Sequence, residues 1–172
     1  MPKYYIAYGS NLNIRRMKYR CPGARVVGTT VLDGWQLLFK GSKTGSYLTI
    51  EENPGYMVPV AIWEISPEDE RALDRYEGFP NFYYKRELEI QYRGIVTGRE
   101  HVHTAMVYIM HEDRPLGLPS YSYVETCAEG YHTFGFDTEF LAEAMPLSES
   151  AGDDRPCLTA WRTPRHSCSF SQ

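Results

Sequence analysis

The hydrophobic pattern of the first two thirds of the chain is that of strands, and that of the last third is helical. Lys3 to Tyr8 reads as a first strand, rich in aromatic and β-branched side chains, and Gly9-Ser10-Asn11 breaks it. Asn13 to Arg20 reads as a short helix ended by Pro22-Gly23. A strand is expected over Ala24 to Leu32, and Asp33-Gly34 is a hairpin signal before a further strand over Trp35 to Phe39. Tyr47 to Ile50 and Met57 to Ile65 complete this series, with Pro59 marking an edge or a bulge.

Ser66 to Glu77 carries the clearest helix pattern. Ser66 suits an N-cap, Pro67 suits the first helical position, acidic residues fill the first turn, and Gly78 suits the position just past the end. Strands follow near Tyr83 to Tyr92 and His103 to Met110. Ser120 can cap a helix running to about Glu129, and Asp137 another running to Met145. Strands first and helices after predict an α+β domain: a small mixed β-barrel or curved sheet with helices at its rim. No internal repeat is visible. One domain over residues 1–147 is expected, followed by a polar, arginine-bearing tail over 148–172 without apolar periodicity, read as loosely ordered and solvated.

Composition sharpens this picture only in places. The 172 residues suffice for one domain with a sizeable core, and 42% of them are apolar. The net charge of −4 argues against nucleic-acid binding, which needs a basic face. No apolar run approaches the roughly 20 residues of a membrane span, and the N-terminus lacks a signal-peptide pattern, so a cytoplasmic protein without membrane contact is expected. Cys21, Cys127, Cys157 and Cys168 form no CxxC pair and no zinc-finger spacing, and are read as reduced thiols. Tyrosine is abundant, at 14 residues; its commoner use is to edge strands, its sharper use to line a polar pocket.

Three segments carry candidate chemistry. Tyr8-Gly9-Ser10-Asn11-Leu12 passes from a strand through a glycine and small polar residues into a helix. That arrangement can point backbone N–H groups into one concavity that suits a carboxylate, a phosphate or an oxyanion, or it can be an ordinary capped turn. In Leu73-Asp74-Arg75-Tyr76-Glu77-Gly78, helical spacing puts Glu77 on the face of Leu73, at the edge of the buried stripe. Burial and the negative end of the helix dipole would both raise its carboxyl pKa, as a proton-moving residue requires; a solvated carboxylate is the other reading. In Pro119-Ser120-Tyr121-Ser122-Tyr123, a tyrosine could face a pocket or pack in the core. His101 and His103 share a strand face, but no third metal ligand follows at suggestive spacing.

These segments, in this order, resemble the γ-glutamylcyclotransferase-like family, which includes the plant AIG2-like proteins. Tyr8-Gly9-Ser10-Asn11-Leu12 is similar to its N-terminal YGSNL signature, and Leu73-Asp74-x-x-Glu77-Gly78 to its catalytic segment. Tyr84 falls where the family opens its next strand with a tyrosine, and Pro119-Ser120-x-x-Tyr123 resembles the segment whose tyrosine faces the glutamyl pocket. The resemblance covers roughly residues 3 to 145 and departs at Val58-Pro59-Val60, where the family often carries a glycine.

The resemblance implies a small mixed barrel and a reaction that converts a γ-glutamyl amide to 5-oxoproline with release of the amine. It implies Glu77 as general acid/base and a substrate cradle of Tyr8, Gly9, Ser10, Asn11 and Leu12, with Tyr84 and Tyr123 as anchors. It implies no metal and no organic cofactor. The expected partner is a small γ-glutamyl molecule, and the expected assembly a monomer or homodimer. A non-catalytic module that binds a small carboxylate through the same loop is the competing reading; such a module would not require an acid at position 77.

Overall fold

The long stretch from Arg25 to Ile65 folds as one hairpin of two long strands. A computed structural model describes residues 2–42 and 44–146. Its elements in chain order are β1 (Lys3–Ala7), a 3-10 turn (Ser10–Leu12), α1 (Ile14–Arg20), β2 (Arg25–Ser42), β3 (Gly45–Ile65), α2 (Pro67–Glu77), β4 (Tyr83–Gly94), β5 (Glu100–Met110), α3 (Tyr121–Phe134) and α4 (Glu139–Glu143). The strands close a barrel in the order β1-β3-β2-β4-β5. The β1–β5 pair is parallel and the other pairs are antiparallel. The expected α+β barrel with flanking helices is the observed fold.

One expected turn is absent. Asp33-Gly34 does not reverse the chain: β2 runs on through it, and the hairpin closes between Ser42 and Gly45. The register instead shifts between Asp33 and Trp35, with Gly34 at φ 77°. An Asp-Gly pair supplies a residue that tolerates positive φ, and a bulge uses that property as well as a turn does. Pro59 sits opposite Val31 of β2, beyond the last β1 pair at Ala7–Ala61, so its missing N–H falls on a locally open edge.

The helix over α2 begins as the sequence predicts. Ser66 and Asp69 form a reciprocal capping box, Asp69 N–H donating to Ser66 Oγ at 3.1 Å and Ser66 N–H to Asp69 Oδ2 at 3.0 Å. Gly78 closes the helix at φ 64°. Leu73 is fully buried, while a ladder of ions pins the helix to three strands. Lys3 and Lys85 both reach Glu70, at 2.8 and 2.6 Å, Lys85 also reaches Asp74 at 2.7 Å, and Tyr108 Oη donates to Asp74 Oδ1 at 2.6 Å. With rotation about its axis fixed in this way, the last turn of α2 presents Glu77 to one end of the barrel.

The third helix runs to Phe134, past the expected end near Glu129, and stops at Gly135. The fourth spans Glu139–Glu143, shorter than expected, with Asp137 Oδ1 accepting from Glu139 N–H at 2.9 Å. The α3 helix backs the loop after β1. Asn13 donates to Glu129 Oε2 at 2.7 Å and to the Thr126 carbonyl at 3.2 Å, and Tyr131 Oη donates to the Tyr8 carbonyl at 3.3 Å. Gly130 makes the close approach possible: a Cβ there would lie 2.6 Å from the Leu12 carbonyl carbon and 2.8 Å from Asn13 N. Gly130→Ala is therefore expected to destabilise the protein by about 1–2 kcal/mol, overpacking outweighing the gain in helix propensity. Urea denaturation checks this; a stabilised variant would contradict it. The expected domain boundary at residue 147, the tail over 148–172, Cys157 and Cys168 lie outside the described residues. Among the described residues no helix is long and apolar enough to cross a membrane.

Candidate active site

The loop after β1, the end of α2, the start of β4 and the first turn of α3 meet around a cavity of about 230 Å³. Tyr5, Tyr8, Tyr47, Tyr76, Tyr83, Tyr108 and Tyr123 all line it, so much of the chain's tyrosine surplus is concentrated here rather than along strand edges. Among the described residues Glu77 is the one carboxylate on its wall.

The surroundings of Glu77 are specific. Asn11 Nδ2 donates to Glu77 Oε1 at 3.0 Å and to Tyr5 Oη at 2.7 Å. Asn11 Oδ1 accepts from Arg20, which fixes the amide with its NH₂ toward the carboxylate. The Arg20 guanidinium lies 3.2 Å over the Tyr76 ring, and Tyr76 Oη is 3.0 Å from Ser10 Oγ. Glu77 keeps partial exposure as a residue because its carboxyl looks into the cavity, yet the surrounding protein displaces bulk water. That burial pushes its pKa up to about 7, against the opposing pull of Arg20 and the Asn11 bond. An acid so placed exchanges protons near neutrality.

The phenols are donors and supports, not bases. Burial raises the pKa of Tyr5, Tyr8, Tyr83 and Tyr123 well above the ordinary value. Tyr8 Oη donates to the Tyr108 carbonyl at 2.6 Å, and Tyr83 Oη to the Leu48 carbonyl at 2.7 Å. Leu48 N–H donates to Tyr123 Oη at 3.1 Å, so phenols from β4 and α3 clasp one residue of β3 through its N–H and its carbonyl. Neither described thiol offers a nucleophile: Cys21 and Cys127 are buried, and burial pushes them up to about 11 and about 12.

Of the residues singled out from sequence, Tyr8, Gly9, Ser10, Asn11, Glu77 and Tyr123 come together on this cavity. Leu12 does not. Its side chain is fully buried and its N–H donates to the Gly9 carbonyl at 3.0 Å, closing the 3-10 turn. The amides of Ser10 and Asn11 open that turn and are not used by it, so the donor set is smaller than the whole loop. Tyr84 also lies elsewhere: its hydroxyl donates to Glu112 Oε1 at 2.5 Å and its ring sits 5.3 Å from His111. Strand alternation gives the inward position to Tyr83, one residue earlier. Tyr5, Tyr83 and Tyr108 were legible only as strand aromatics, and Arg20 only as the end of a short helix. His101 and His103 stack with Tyr92, at 5.4 and 5.7 Å, and with each other, at 6.2 Å. Among the described residues no cluster of three or more His, Cys, Asp or Glu is placed to hold a metal.

A family model described as Gamma-glutamyl cyclotransferase, AIG2-like matches residues 5–125, the stretch that holds every cavity residue named above. A Bos taurus protein named Gamma-glutamylcyclotransferase is 34% identical over 87 residues. That match spans 46% of this chain and 46% of the relative, less than half its length. A solved structure named Gamma-glutamyl cyclotransferase superposes with a TM-score of 0.70 at 25% identity, over 89% of this chain and 93% of its own. An uncharacterised Homo sapiens protein superposes with a TM-score of 0.71 at 26% identity, over 88% of this chain and 92% of its own.

Proposed function

The chain belongs to the gamma-glutamyl cyclotransferase, AIG2-like family, and from that membership we propose that it cyclises a γ-glutamyl amide to 5-oxoproline and releases the amine. The observation that carries the proposal is the place of Glu77: among the described residues it is the one carboxyl on the wall of a cavity lined mainly by phenols and the loop after β1, and burial there pushes it up to about 7.

The chemistry suits that inventory. The substrate's own α-amino nitrogen attacks its γ-carbonyl carbon and closes a five-membered ring, so no protein nucleophile is needed. Folding the substrate correctly supplies much of the rate, since intramolecular reactions reach effective molarities of about 10⁵ M or more. Ionised Glu77 takes the proton that the α-ammonium must lose. The C–N bond then breaks and the same carboxyl returns that proton to the departing nitrogen; the second proton, shed as the ring nitrogen becomes the lactam N–H, follows by the same route, so the amine leaves as its ammonium, Glu77 is ionised again and the proton count closes over the cycle. In this reading the Ser10 and Asn11 amides, which the 3-10 turn leaves unused, stabilise an oxyanion or a carboxylate. Tyr83 and Tyr123, holding Leu48 between them, fix the opposite wall. Metals and organic cofactors have no role in this sequence of steps.

The test is direct. The protein is incubated at pH 7.5–8 with γ-glutamyl amino acids, γ-glutamyl amines and glutathione, and 5-oxoproline is measured. Turnover of at least one of these compounds is expected. Binding of γ-glutamyl compounds with no 5-oxoproline from any of them would replace the enzyme with a carboxylate-binding module.

A further inference from the structure

A cavity of about 230 Å³ lies below the usual range of ligand sites. The glutamyl part of a substrate fills such a space, and the leaving group must project through the mouth. Two of the lining rings, Tyr76 and Tyr47, reach the surface. Tyr47, 39% exposed, packs edge-on to Phe82 at 6.2 Å and to Tyr123 at 5.2 Å.

Among the described residues three cations lie against rings that line the cavity. Arg20 covers Tyr76 and Lys85 lies 5.8 Å from Tyr108, but both are committed: Arg20 to Asn11, Lys85 to Glu70 and Asp74. The third is Arg114, whose guanidinium lies 4.7 Å over Phe82. Among the described residues no hydrogen bond or ion pair engages that guanidinium. The neighbouring Glu112 carboxylate is engaged by the Tyr84 hydroxyl.

The loop that carries Arg114 is stapled down. Gly41 N–H donates to the Pro115 carbonyl at 3.0 Å, and Gly117 N–H to the Phe39 carbonyl at 3.1 Å. Beneath it Lys40, only 6% exposed, pairs with Glu51 and donates to the Glu112 carbonyl at 2.7 Å. A buried lysine is costly unless it is fully engaged, and here its bonds hold the loop at the barrel rim. Among the described residues Arg114 is thus a stacked and unpaired cation on a stapled loop, against the Phe82 ring that lines the cavity. A guanidinium in that state offers a planar fork of donors that matches a carboxylate.

We propose that Arg114 receives a carboxylate on the leaving side of the substrate, so that this protein acts on γ-glutamyl amino acids or short γ-glutamyl peptides in preference to γ-glutamyl amines. The inference rests on the cyclotransferase reading and adds to it the class of the group released. It also assigns the rim loop a role: Lys40 and the two backbone bonds position the cation, and Phe82 separates it from the glutamyl pocket.

Matched substrates test it. γ-Glutamyl-alanine and γ-glutamyl-ethylamide differ only by the leaving-side carboxylate; glutathione and its glycine amide form a second pair. The parent is expected to prefer the carboxylate member of at least one pair by roughly 10- to 100-fold in kcat/KM, the size of one charge-assisted bond. In Arg114→Gln that ratio should collapse toward one, and in Arg114→Lys it should recover in part. The ratio is read within one variant, so a general loss of folded protein cancels. Equal use of both members by the parent, or a preference that survives in Arg114→Gln, overturns the subsite and leaves the cyclotransferase reading standing. No 5-oxoproline from any of the four compounds overturns both.

Discussion

Glu77→Gln is expected to lower kcat for 5-oxoproline formation by about 10²–10⁴-fold, the range spanned by loss of a general acid/base. The amide keeps the shape of the carboxyl and can still face Asn11, but it cannot carry a proton from the α-ammonium to the leaving amine. KM should change far less, because the donors that hold the substrate are untouched. Glu68→Gln is the matched control: Glu68 lies in the first turn of the same helix, exposed and paired with Arg71 at 2.7 Å, and its loss should be nearly silent. The same substitution carries a stability signature of opposite sign. With its folded pKa raised to about 7, Glu77 holds a proton that the unfolded chain has already released above the ordinary carboxyl range. The folded state binds more protons through that window, so stability falls as pH rises from about 4.5 to 7. Glu77→Gln removes this penalty and should be more stable than the parent at pH 8, by about 3 kcal/mol, with little difference at pH 4. Loss of turnover joined to a gain of alkaline stability marks a residue kept for chemistry. Undiminished turnover by the variant would remove Glu77 from the reaction.

The parts of this site that sequence revealed are those set by local rules. Ser66, Pro67 and Gly78 delimit α2 through capping chemistry that depends on near neighbours alone, and helical spacing from Leu73 then aims Glu77 at the core. The glycine break after β1 likewise marks the loop. What sequence hid depends on register and on distant contacts. Tyr83 and Tyr84 are equivalent by composition, and only the pairing of β4 with β5 decides which one turns inward. Asp33-Gly34 specifies a backbone conformation, and the sequence does not say whether a turn or a bulge will use it. Leu12 belongs to the signature, yet its packing against Gly130 of α3 takes it out of the cavity. Arg20 reaches Asn11 because α1 folds back beside the loop, a consequence of the Asn13 cap and its bonds to α3.

Arg20 supports the second expected result. The acid limb of the kcat/KM profile should reflect Glu77 in the free enzyme and fall near pH 7. Arg20 acts on that limb twice, through its charge, which favours ionised Glu77, and through Asn11, whose amide it orients toward Oε1. Arg20→Gln removes the charge and loosens the amide, so the Glu77 pKa rises and the limb should move up by about one pH unit. At pH 7 the ionised fraction then falls from about a half to about a tenth; misorientation of Asn11 adds to this, for a total loss of roughly 10-fold. At pH 9 most of the loss should vanish, because Glu77 is ionised in both forms. Arg20→Lys restores the charge without the planar fork and should return the limb most of the way while leaving a pH-independent deficit. A purely structural arginine predicts a different pattern, a uniform drop at every pH with the limb unmoved. That outcome would separate Arg20 from the proton chemistry and leave Asn11 and burial alone to set the affinity of Glu77 for its proton.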